Sequence, residues 1–147
     1  MLREYAHEYF ECHQSEDSPY MTYVTHVRQD KRVPLENTLQ GLARLSQVRS
    51  VIPAVTHLDH SSRIQTVDRE RNPRLHALLS AFHARTGCPI LVNTSLNVRG
   101  EPIVHSPLDA YQCLMSTGMD AIVLQDVIVF RADQPEDNRV TSRVNAD

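Results

Sequence analysis

The chain has 147 residues, 41% of them hydrophobic and 22% charged, with a formal net charge of −3. That length suits one domain able to bury a core without disulfide or metal support, and the slight acidity argues against general nucleic-acid binding, which needs clustered positive charge. No apolar run approaches the roughly 20 residues of a membrane helix, and Arg3 and Glu4 stand where a signal peptide needs an apolar block, so no membrane partner and a cytoplasmic location are expected.

In chain order, residues 1–17 place Tyr5, Tyr9 and Phe10 on one helical face ahead of a polar run, and read as a residual N-terminal element. Ser18-Pro19 signals a turn, and residues 20–28 are rich enough in aromatic and β-branched side chains to form a strand. Leu35, Leu39, Leu42 and Leu45 fall loosely at helical spacing around Gly41, which predicts a short helix or a surface excursion. Residues 51–57 read as extended, with Pro53 at a strand start or edge. Residues 62–67 alternate polar and apolar as a half-buried strand does, with Arg63, Gln65 and Val67 sharing a face.

Asn72-Pro73 opens the strongest helix, with Leu75, Leu78, Leu79 and Phe82 on one stripe, packing on a sheet, and Gly87 placed to stop it. The short apolar run at residues 89–92 predicts a buried strand. Ser106-Pro107-Leu108-Asp109 starts a second helix, with Leu108, Tyr111, Leu114 and Met115 turned inward and Gly118 at its end. Residues 121–130 read as a final strand or hairpin, and residues 133–147 as a disordered tail. The elements predict an α/β fold, a mixed sheet with packed helices. If the strands at Ile90 and Ile122 are parallel, their crossover is right-handed.

The loop Asn93-Thr94-Ser95-Leu96-Asn97-Val98-Arg99-Gly100-Glu101-Pro102 is longer than the roughly two to six residues that usually link a strand to a helix. Its amides, hydroxyls and guanidinium suit an anionic or amide-bearing ligand. A self-capped surface loop, in which Asn and Ser bond their own backbone, is the alternative. Upstream, His57-Leu58-Asp59-His60-Ser61-Ser62-Arg63 has the composition either of a polar turn or of a metal site using His57, Asp59 and His60. A ligand site built on Arg63, whose forked donors grip phosphate or carboxylate, fits better than the metal. His76 and His83 lie too far apart on one helix to chelate, and His105 reads as structural. Cys12, Cys88 and Cys113 lack metal spacing and read as reduced.

The runs Ser18-Pro19-Tyr20-Met21, Ile52-Pro53-Ala54-Val55-Thr56-His57-Leu58-Asp59, Ser62-Arg63-Ile64-Gln65-Thr66-Val67 and Gly87-Cys88-Pro89-Ile90-Leu91-Val92-Asn93-Thr94-Ser95-Leu96-Asn97-Val98-Arg99-Gly100-Glu101-Pro102-Ile103-Val104 resemble the C-terminal region of the O-carbamoyltransferases of nodulation-factor and antibiotic tailoring. The resemblance covers nearly everything from Ala6 to Phe130. It implies a carbamoyltransferase C-terminal-like domain over residues 18–132, similar to an incomplete YrdC-like domain.

It further implies that ATP and carbamoyl phosphate are substrates for carbamoyl-adenylate, and that an N-terminal carbamoyltransferase module carries the iron site and passes the carbamoyl group to a hydroxyl acceptor. By motif, Arg63 is the residue for the nucleotide phosphates, and Asn93 with Ser95 those for the adenylate or its carbamoyl end. No segment here corresponds to the iron motif or to an upstream Gly-Pro-Arg run. Within the matched region His60 stands where the family tends to have glycine, Leu96 where it has phenylalanine, and His105 where a small residue or cysteine is usual. Either the chain works with that module or by self-association, or it is a non-catalytic binding or scaffold remnant of the domain.

Overall fold

A computed structural model describes residues 1–35 and 41–135. They fall into two compact units, Met1–Val92 and Asn93–Asp147. Leu39 and residues 136–147 of the expected tail lie outside the described residues.

The first unit is built on its own first ten residues. A 3-10 turn, Arg3–Tyr5, runs into the short helix α1, Ala6–Tyr9. Met1, Ala6 and Phe10 pack with Val27, Ile52 and Ile64 in one buried cluster, and Leu2 packs with Val67 and Leu79 in another. Of the expected aromatic stripe only Phe10 is fully buried; Tyr5 and Tyr9 pack at the cluster edges.

Strand β1, Tyr23–His26, pairs antiparallel with β2, Ser61–Ile64, Tyr23 lying opposite Ile64 and His26 opposite Ser61. Directly opposed residues share a sheet face. Thr25, Ser62 and Ile64 are therefore on the buried face, and Val24, His26 and Arg63 on the exposed one. The expected alternation stops at Ile64: Thr66 and Val67 are both buried, because Val67 leaves the ribbon to bridge Leu2. Residues 51–57 are not extended. Pro53–Val55 forms a 3-10 turn with proline in its first turn, where the fixed φ favours helix and the missing N–H costs nothing. In the excursion, Gly41–Ser46 is 3-10 and Leu45 is exposed.

Helix α2, Pro73–Thr86, has the predicted ends. Leu75 N donates to the Asn72 side chain at 3.2 Å, and Gly87 takes a left-handed φ of 72°. Its apolar stripe is narrower than the sequence implies: Leu79 is 2% exposed but Leu78 57%. The helix packs not on a sheet but on Leu2, Tyr5 and Val67. His76 Nε2 lies 3.0 Å from Glu4 Oε1, and the His83 ring meets Tyr5 edge-on at 4.5 Å, so both histidines clamp the N-terminal segment.

Residues 89–92 overturn the predicted buried strand. Among the described residues they join no ladder, and Val92 is 57% exposed. The composition is that of a strand, but the other strands pair among themselves, which leaves this one without a neighbour. The expected parallel crossover lapses with it.

In the second unit, α3, Pro107–Ser116, begins with a full capping box: Asp109 N donates to Ser106 Oγ at 3.1 Å and Ser106 N to Asp109 Oδ2 at 3.1 Å. Ala110, Cys113, Leu114 and Met115 are buried, whereas Leu108 stays 63% exposed. Strands β3, Ala121–Leu124, and β4, Val127–Phe130, form a two-residue hairpin, with Gln125 at a φ of 54° in its turn. The sheet is thus two separate antiparallel ribbons, β1 with β2 and β3 with β4, accompanied by helices, and the class is mixed helix and strand. No described helix is long and apolar enough to cross a membrane.

Leu79→Ala should lower unfolding free energy by about 3 kcal/mol, and Leu78→Ala by less than about 0.5. Urea denaturation of the two variants measures the difference.

Candidate functional site

Arg63 projects from the exposed face of the β1–β2 ribbon, opposite Val24. Its guanidinium has no hydrogen-bond or ion-pair partner among the described residues. The turn before it is braced by backbone hydrogen bonds: His57 N donates to Ser61 O at 2.8 Å, His60 N to His57 O at 3.1 Å, and Val27 N to His60 O at 2.8 Å. Ser61 N donates to Asp59 Oδ1 at 2.9 Å, and the Ser61 hydroxyl lies 2.9 Å from His57 Nδ1. Hydrogen bonds from the Ser61 hydroxyl and backbone N–H hold the Asp59 carboxyl below its ordinary range. These bonds set where β2 begins and so where Arg63 points.

His60 occupies the left-handed region, at a φ of 64°. A glycine there would be free of the Cβ clash that His60 bears, which is the physical sense of the glycine the family resemblance places at this position. Among the described residues no three His, Cys, Asp or Glu side chains are placed to hold a metal ion. His57, Asp59 and His60 are thus not placed together as a set of metal ligands.

Asn93 and Ser95 begin the second unit on an exposed stretch, so Arg63 belongs to one unit and this pair to the other. The loop beyond them is self-braced. Glu101 N donates to Val98 O at 3.0 Å across a turn with Gly100 at a φ of 88°, and Val104 N donates to Leu96 O at 2.9 Å. Asn97 Nδ2 donates to Val98 O at 3.3 Å and to Glu101 O at 3.0 Å. One of the two amides that made the loop look like a ligand site is therefore structural. His105 lies 3.3 Å from Asp109 Oδ2, beside the capping box. The cysteines are free, and burial pushes the Cys12 and Cys113 thiols upward, away from the reactive thiolate.

The sequence profile of the carbamoyltransferase C-terminus matches residues 1–131. The chain belongs to that family. It is 49% identical over 139 residues to an uncharacterized protein of Synechocystis, covering 92% of this chain and 22% of that protein. It is 37% identical over 139 residues to the nodulation protein NolNO of Sinorhizobium fredii, covering 93% and 18%. With the 3'-hydroxymethylcephem-O-carbamoyltransferase of Amycolatopsis lactamdurans it shares 36% over 121 residues, 82% of this chain and 20% of that enzyme. The chain thus spans about a fifth of the length of these relatives.

Within this carbamoyltransferase C-terminal region, sequence reasoning missed a polar cleft of about 300 Å³ where two of the recognised runs meet, bordered by Tyr20, Gln65, Thr66, Asp68 and Arg71. Ser18 N donates to Thr66 Oγ1 at 2.8 Å, Thr66 N to Ser18 O at 3.0 Å, and Gln65 Nε2 to Pro19 O at 2.9 Å. Arg71 bonds both Asp17 and Asp68, and Thr66 donates to Asp17. Burial alone would push Asp17 up, but the hydrogen bonds from Thr66 and Arg71 outweigh it and hold the carboxyl below its ordinary 3.8. The signal was present in the sequence as two separate runs; nothing in their spacing says that they touch. A larger groove, about 800 Å³, lies along Phe10, Cys12, His13 and Arg28 and contains none of the predicted site residues.

His60→Val should destabilise the fold by about 1–2 kcal/mol, because a β-branched side chain clashes in the left-handed region, while His60→Gly should keep or slightly raise stability; thermal unfolding checks both. Since the folded-state pKa of Asp17 is depressed, its carboxylate stabilises the fold above the unfolded value of about 3.8 and that contribution disappears as pH falls through the folded value. Asp17→Asn should therefore lose stability at neutral pH and show a flatter acid limb below pH 4 in pH-dependent unfolding.

Proposed function

We propose that this chain supplies the nucleotide half-site of a carbamoyltransferase that forms carbamoyl-adenylate from ATP and carbamoyl phosphate and delivers the carbamoyl group to a hydroxyl acceptor. The observation that carries the reading is Arg63, an outward guanidinium with no partner among the described residues, on a strand that follows a hydrogen-bonded turn, in a chain of the carbamoyltransferase C-terminus family.

Carbamoyl-adenylate keeps the α-phosphate of ATP, so forming it consumes water and releases both pyrophosphate and inorganic phosphate. Charge on the phosphates is the main electrostatic problem. A forked guanidinium answers it by bidentate hydrogen bonds and fixed positive charge. Asn93 and Ser95 contribute an amide and a hydroxyl, which match the hydrogen-bonding pattern of a carbamoyl group. The rest of the transfer, including acceptor recognition and any iron, falls in this reading to the N-terminal module that the resemblance implies; the match itself covers about a fifth of the relatives' length. The proposal sets the reaction in the cytoplasm, with ATP and carbamoyl phosphate as its substrates.

Calorimetric titration with ATP and with a non-hydrolysable carbamoyl-adenylate analogue tests the reading. Arg63→Ala and Asn93→Ala should each weaken binding at least about tenfold, roughly 1.4 kcal/mol. Unaltered affinity in both variants would remove these residues from the site. No binding by the wild-type chain would favour a scaffold remnant.

A further inference from the structure

The turn that leads into β2 leaves one polar atom open near Arg63. His57 is exposed, and its Nε2 has no partner among the described residues, whereas its Nδ1 lies 2.9 Å from Ser61 Oγ. Which ring nitrogen carries the proton follows from counting hydrogens. A serine hydroxyl has one proton to give, and a carboxylate can only accept. The Asp59 carboxylate takes a hydrogen bond from the Ser61 hydroxyl as well as one from Ser61 N at 2.9 Å. Ser61 Oγ has no proton left for the ring, so His57 Nδ1–H donates to it. The neutral imidazole then keeps its lone pair on Nε2.

The strand sets that ring on the face that carries Arg63. Ser61 and Arg63 are two positions apart in β2, hence on one side of the ribbon and roughly 7 Å from each other. The His57 ring lies against the Ser61 hydroxyl, so it stands on the same side as the guanidinium. His26, opposite Ser61, and Val24, opposite Arg63, complete this face. The His26 ring makes no hydrogen bond among the described residues, so nothing selects its tautomer.

We propose that His57 Nε2 is the proton acceptor for the water that carbamoyl-adenylate formation consumes, with Asp59 and Ser61 as the positioning residues that fix its tautomer. The inference rests on the reading of Arg63 as the phosphate-binding group. Water attacks the carbamoyl carbon of carbamoyl phosphate as one of its protons passes to Nε2. The bond from that carbon to the bridging oxygen breaks, its electron pair leaves on the phosphate, and the second proton of the water follows to that phosphate. Carbamate, inorganic phosphate and an imidazolium result, with Arg63 opposing the charge on the departing phosphate. The carbamate then displaces pyrophosphate from ATP. Carboxylates elsewhere set a histidine tautomer by direct contact; here the contact is relayed by a hydroxyl.

Nitrogen NMR of the ring-labelled chain, about two pH units above the ordinary imidazole value of roughly 6.5, reads the tautomer. His57 should carry its proton on Nδ1, and Asp59→Asn should shift the population toward Nε2–H. With carbamoyl phosphate and ATP, His57→Gln should cut release of inorganic phosphate about 100-fold. Its calorimetric affinity for phosphonoacetamide, a carbamoyl phosphate analogue that cannot hydrolyse, should stay within about twofold of wild type. Asp59→Asn keeps the ring and should lower release about tenfold, which decides the matter where His57→Gln disturbs the turn. Nε2–H in the wild-type chain, or release unchanged in either variant, overturns the proposal. So does a wild-type chain that binds the analogue and releases no phosphate. No analogue binding, with the proton still on Nδ1, would sink the reading of Arg63 and the proton-acceptor role with it.

Discussion

Three backbone hydrogen bonds hold the first unit together. Val67 N donates to Met1 O at 2.9 Å, Arg3 N to Val67 O at 3.0 Å, and Leu2 N to Pro89 O at 3.0 Å. They join segments far apart in the chain, so each contact closes a long loop and must be repaid by burial. Burial follows directly: Met1 is placed among Phe10, Val27 and Ile64, and Leu2 against Val67 and Leu79. The position of α2, the end of β2 and the placement of residues 89–92 all depend on this junction.

Polar groups do as much to shape the site as apolar ones. Ser18, 1% exposed, exchanges hydrogen bonds with Thr66 and donates its hydroxyl to Ile64 O at 3.0 Å. The other end of β2 is fixed by Asp59, Ser61 and His57. Arg63 sits between these two polar networks, and its guanidinium has no hydrogen-bond or ion-pair partner among the described residues. Thr25, buried on β1, donates its hydroxyl to Glu11 O at 2.9 Å, as its desolvation cost requires.

The same reasoning identifies loop residues that hold the chain. Asn97 and Gly100 build the turn after Ser95; Ser106 and Asp109 build the start of α3. Asn93, Ser95 and Arg63 are the residues to which the proposed function gives the ligand.

Local signals were legible in the sequence. Asn72 and Gly87 marked the ends of α2, Ser106 and Asp109 marked the start of α3, and residues 121–130 folded into the expected hairpin, because caps and two-residue turns are settled by groups within a few positions of one another. The family runs were equally readable, since they name residue types in order. Pairing was not. The sequence at residues 89–92 has strand composition whether or not a partner exists, the face of α2 that is buried depends on where Leu2 lies, and the Ser18 and Thr66 runs show no sign that they touch. Those outcomes rest on contacts between distant segments, whose free energy depends on which other surfaces are present to be covered. The sequence by itself determined the helix ends, the hairpin and the chemistry on offer; only the tertiary structure decided which strands found partners and which polar groups were left over.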